Sequence, residues 1–171
     1  MIGIGRRAPW FACLSAEHSR SVPPSKPAVE SPHPLHGHLF SSDFFQKRRC
    51  ILHFLHPRKE VPKETIDSIV ALHNEAVQLE AYTVVIGTRD LIEAFSSFSQ
   101  IPAIVERLGE ISERLFGIDW ITMPVQRVSV AVDEHGLIAD VLPFTFGSPE
   151  GPHKKLVLFL QRSPRSIEPP G

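Results

Sequence analysis

Cysteine is scarce in this chain: two among 171 residues, Cys13 and Cys50, with no C-x-x-C pair. That usage excludes a disulfide framework and a thioredoxin-type dithiol, and it fits a reducing compartment. An excess of either charge is also missing, because Lys+Arg 18 against Asp+Glu 19 leave a formal net charge of -1. Phosphate binding needs a concentrated positive field, so nucleic acid is not expected as a partner. No apolar run approaches the roughly 20 residues of a membrane-spanning helix, and no membrane partner is expected either. Near the start, Arg6 and Arg7 are present, but the apolar residues around them are interrupted too early for a signal-peptide core. The expectation is a cytoplasmic protein.

Hydrophobic residues at 42% and charged residues at 22% are ordinary for a globular domain, and a chain of this length buries roughly 70% of its unfolded surface without metal or disulfides. Proline, at 16, is abundant and uneven. Ser21 to His38 (SVPPSKPAVESPHPLHGH) holds five prolines and no apolar periodicity, which reads as a surface loop. The tail 163–171 (SPRSIEPPG) reads as flexible. What remains is one domain over residues 1–162 that carries the proline-rich loop 21–38 within it.

The run Cys50 to His56 (CILHFLH), ended by Pro57, predicts a central strand covered on both faces. Ile66, Ile69, Val70, His73 and Val77 at helical spacing predict a helix, with Pro62 near its first turn. Tyr82 to Gly87 (YTVVIG) predicts a second strand, parallel to the first through a right-handed crossover. Leu108, Ile111, Leu115 and Ile118 predict a second helix ending near Gly117, with Glu110 and Arg114 paired one turn apart. Arg127 to Val132, the turn residues Asp133 to Gly136, and a return over 137–146 predict an antiparallel hairpin. His153 to Gln161 predicts a short closing helix. This order is that of an α/β, thioredoxin-like fold: a central mixed β-sheet flanked by helices on both faces.

Several segments in this order resemble peroxiredoxins of the AhpC/TSA type. Gly5 to Phe11 (GRRAPWF) is similar to the family opening G-x-x-A-P-x-F, and His38 to Phe45 resembles the x-L-S-D stretch before the central strand. Cys50 to Pro57 resembles V-V-L-F-F-Y-P, and Ile101 to Ile104 with Gly109 to Ile118 resembles F-P-L-L-S-D followed by A-x-x-Y-G-V. Arg127 to Ile138 (RVSVAVDEHGLI) is similar to R-A-T-F-V-I-D-x-x-G-x-I. The resemblance implies a site in which P-x-x-x-[TS]-x-x-C supplies the peroxide-attacking thiol and an arginine from a later strand stabilises the thiolate.

Counted without a gap from Pro57, Val61 takes the hydroxyl position and Glu64 the cysteine position, while Arg127 matches the arginine. The peroxidatic cysteine is therefore lacking. A carboxylate does not attack peroxide, whereas a negative charge in a helix's first turn interacts favourably with the helix dipole by about 0.3–1 kcal/mol. The inherited positions Pro57, Val61, Glu64 and Arg127 predict a degenerate peroxiredoxin-like domain without thiol peroxidase activity, retained as a binding or interaction module, with Glu64 free to pair with Arg127. The alternative is an oxidoreductase that uses Cys50 or Cys13 as its redox thiol. No cofactor is expected; the partner would be an unspecified small molecule or protein, and the resemblance implies a homodimer. His33, His36 and His38 cluster in the proline-rich loop as a candidate metal site, but rigid ligands to complete it are lacking, and no metal is expected.

Overall fold

The computed structural model of the protein describes residues 3–9, 12–14, 39–41, 48–96, 101–107, 109–122, 125–145 and 150–162. Two short strands, β1 (Ala12–Leu14) and β2 (Leu39–Ser41), pair antiparallel. Next come β3 (Cys50–Leu55), helix α1 (Lys63–Gln78), β4 (Tyr82–Gly87), helix α2 (Arg89–Ser96), β5 (Ala103–Val105), β6 (Val125–Val132), β7 (Ile138–Thr145) and helix α3 (Glu150–Gln161). The main sheet has the order β5-β4-β3-β6-β7. β3 is parallel to β4 and antiparallel to β6, and β6 forms the expected hairpin with β7.

Every residue of β3 is buried, as a continuous apolar run requires when both sheet faces are covered. Because side chains alternate along a strand, Cys50, Leu52 and Phe54 enter one core with Val84, Ile86, Val128 and Val130. Ile51 and Leu55 point the other way, towards Leu72 and Ala76 or Ile66 and Ile69 of α1. α3 joins that second side through Leu156, Phe159 and Leu160, packed with Leu142 and Phe144 of β7. The turn between β6 and β7 is built as its sequence predicts. Asp133 Oδ1 accepts from the N–H groups of His135 at 2.9 Å and Leu137 at 3.0 Å, and Gly136 takes φ +77.

The apolar stripe of α1 runs Ile66, Ile69, Leu72 and Ala76. Val77, placed on it by the sequence reading, is 56% exposed, because a 3.6-residue period carries the stripe from Ile69 to Leu72 and Ala76.

The helix expected over Leu108 to Ile118 is replaced by linked turns across residues 109–118. Gly109 and Gly117 both have positive φ, at +71 and +65, and so bound the segment with backbone that a right-handed helix does not use. Between them the hydrogen bonds mix spans: Glu113 and Arg114 both donate to Gly109 O, and Ile118 donates to Ser112 O. Glu106, buried and absent from the sequence reading, holds the first turn by accepting from Ile111 N at 2.8 Å, from Ser112 N, and from Ser112 Oγ at 2.9 Å. Ile111, Phe116, Ile118 and Trp120 still reach the core beside Cys50, Leu52 and Phe54. Leu115 is exposed and Phe116 is buried in its stead, Glu110 and Arg114 form no ion pair, and Leu108 lies outside the described residues.

Candidate functional site

The chain leaves β3 through residues 56–62 and enters α1 beside β6. His56 fixes that exit. Its Nδ1 accepts from Arg58 N at 3.0 Å, which leaves Nε2–H to donate to Trp120 O at 3.1 Å. This neutral tautomer agrees with a pKa lowered chiefly by burial. Pro57 follows, half-buried, and Val61 packs against the cluster of Leu55, Ile66 and Ile69.

At the start of α1, Glu64 is exposed and forms no ion pair with Arg127. Its neighbour Thr65 is the buried residue turned towards β6, and Thr65 Oγ1 donates to Gln126 Oε1 at 2.7 Å. Arg127 is 1% exposed. Its Nη1 donates to Thr65 O at 3.1 Å, its Nη2 to Ser68 Oγ at 2.9 Å, and its guanidinium carbon lies 3.6 Å from the centre of the Phe144 ring. Burial lowers the Arg127 pKa to about 9, so the group is a cation at neutral pH, held by neutral oxygens and an aromatic face.

Further polar groups share this side of the sheet. His53 pairs with Ser129 across β3 and β6, one same-face step along from the pair Leu55 and Arg127. The His53 ring is fully buried, with Nδ1 2.8 Å from Ser129 Oγ. Burial first, then Arg127, His153 and His73, hold its pKa well below the usual imidazole range, so it is neutral. From α3, His153 Nδ1 lies 2.8 Å from Ser68 Oγ.

The sequence reading named Arg127; it took His53 as a strand-face or pocket-edge residue and Thr65 as the residue after the cysteine position, without a site role for either, and missed Ser68, Ser129 and His153. Ser129 was findable, since period two puts it on the Arg127 side of β6. Ser68 and His153 are 85 residues apart, and nothing local joins them.

Cys50 stands away from this cluster. It faces the opposite side of the sheet and lies five residues, roughly 17 Å, along β3 from Leu55, the partner of Arg127. Its thiol is free and fully buried, and desolvation raises its pKa well above the ordinary value. The side chain of Cys13, together with His33, His36, His38 and the segments 21–38 and 163–171, lies outside the described residues.

No family model and no curated protein matches the sequence. Solved structures do. AhpC of Mycobacterium tuberculosis aligns with TM-score 0.61 at 16% identity, covering 94% of this chain and 92% of that one. A thiol:disulfide interchange protein of the thioredoxin family from Chlorobium tepidum aligns with TM-score 0.58 at 15% identity, over 92% and 99% of the two chains. The thioredoxin domain of a thiol-disulfide oxidoreductase from Bacteroides vulgatus gives 0.60 at 11%, over 92% and 99%. At such identities the likeness establishes a thioredoxin-like fold, with its mixed five-stranded sheet and helices. Within the described residues, no helix is long and apolar enough to cross a membrane.

Proposed function

We propose that this protein is a degenerate peroxiredoxin-like domain that has no thiol peroxidase activity and serves as a folded binding or interaction module. One observation carries the reading. The first turns of α1 offer Arg127 a threonine carbonyl and a serine hydroxyl, and α1 contains no cysteine. Peroxide reduction by a thiol needs the thiolate, which forms where an exposed helix terminus or a neighbouring cation lowers the thiol pKa. Cys50 has the opposite surroundings: burial raises its pKa and closes access to a substrate. Among the described residues the groups beside the guanidinium are hydroxyls, Thr65 Oγ1 bonded to Gln126 and Ser68 Oγ bonded to His153, and no thiol.

Steady-state consumption of hydrogen peroxide with a dithiol reductant tests this reading. The wild-type chain is expected to match the protein-free rate. Turnover that Cys13→Ser or Cys50→Ser abolishes would establish the competing reading, a thiol-dependent oxidoreductase.

A further inference from the structure

Helix α3 is tied down at its two ends by different chemistry, and at the far end Gln161 Nε2 also donates to Glu75 Oε1 of α1 at 2.9 Å. Near its end, Arg49 Nη1 donates to Phe159 O at 3.0 Å and Leu160 O at 2.9 Å, while Arg49 Nε lies 3.2 Å from Glu134 Oε2. Near its start the tie is His153 to Ser68. Arginine only donates, so Ser68 Oγ accepts from Arg127 Nη2 and keeps its own proton available for His153 Nδ1, the arrangement that fits a neutral ring beside the guanidinium. A protonated ring would turn a donor onto Ser68 and place a second positive charge near Arg127.

We infer that the Ser68–His153 hydrogen bond is an acid-sensitive latch: protonation of His153 frees the N-terminal end of α3, while Arg49 keeps the C-terminal end on the sheet. The groups around the imidazole agree with this polarity. β6 brings the Arg127 cation and β3 the neutral His53, which interacts with His153 and with His73 of α1. The carboxylates nearest in sequence, Glu64 and Asp67 of α1 and Glu150 of α3, are exposed, as is Lys154, and Asp140 of β7 holds Val141 N at 2.9 Å. Burial, then Arg127, lower the His153 pKa. The sign follows: the imidazole accepts a proton more readily when α3 has lifted than when it is docked. Docking is thus strongest above the free-imidazole pKa of about 6.5 and weakens as pH falls below it.

Hydrogen exchange of individual amides at pH 7.5 and 5.2, corrected for intrinsic rates, tests the latch on the intact chain. Protection at Leu156 and Val157 is expected to fall several-fold, while Gln161 and Arg162 stay nearly constant. His153→Asn keeps an acceptor for Ser68 but does not titrate, and should flatten the difference along α3. An equal loss along the whole helix, or a His153→Asn protein as acid-sensitive as wild type, would overturn the inference. If that variant does not fold, the wild-type gradient decides alone.

Discussion

Glu64 and Thr65 are adjacent on α1, and the difference between them decides how the site is read. Counting along the sequence puts Glu64 where a peroxiredoxin carries its thiol, but the helix turns Glu64 into solvent and Thr65 towards β6. The guanidinium of Arg127 consequently meets a backbone carbonyl and a hydroxyl instead of a carboxylate. A buried cation with no charged partner among the described residues gains from its hydrogen bonds and its aromatic contact but loses its hydration. Arg127→Ala should therefore destabilise the fold by about 3 kcal/mol, through the cavity it opens over Phe144. Arg127→Met fills the same space without a charge and should cost less than about 1 kcal/mol. Urea unfolding of both variants checks the ranking, and equal losses would show that the charge itself holds α1 in place.

At the scale of elements, one helix end and one run of turns carry testable detail. α1 closes with Ala81 N donating to Ala76 O and Glu80 at φ 57, a left-handed closing turn built on a residue that pays a steric penalty there. Glu80→Gly should raise stability by about 0.5–1 kcal/mol, read as a higher thermal midpoint; a lower one would mean that the Glu80 side chain contributes more than its backbone costs. The turns over 109–118 depend on the Glu106 carboxylate, and Glu106→Ala leaves Ile111 N, Ser112 N and Ser112 Oγ–H without their acceptor. A loss of about 2–4 kcal/mol is expected on denaturant unfolding, with the largest exchange increases in this segment. These elements also mark where the sequence was legible. β3, β4 and the β6–β7 hairpin announce themselves by apolar runs, alternation and turn residues. The three residues of β5 are too few to show a period, and the segment 109–118 has helical spacing that its two left-handed glycines override. The polar contacts of the site were hidden for another reason: His53 and Ser129 are 76 residues apart, and Arg127 and Ser68 are 59 apart.

Across the whole molecule, histidine sets the response to acid. His53, His56 and His153 all have pKa values lowered mainly by burial, so the unfolded chain takes up their protons first. Stability should be full above about pH 6.5 and decline as pH falls below it, before most carboxylates titrate. Glu106 acts in the opposite sense, because burial raises its pKa; its contribution is present at low pH and lost as pH rises through the folded value. Urea midpoints at pH 7.5, 6.0 and 5.0 should fall in that order, and a flat series would contradict the burial of neutral imidazoles.

Trapping sulfenic acid tests most directly the proposal that the chain carries no working thiolate. Native protein is treated briefly with hydrogen peroxide in the presence of dimedone and its cysteine peptides are weighed. No rapid adduct is expected at Cys50 or Cys13 in the native chain, with Cys50 becoming reactive once the fold is unfolded in urea. A stoichiometric adduct at either cysteine of the native protein within seconds would contradict it.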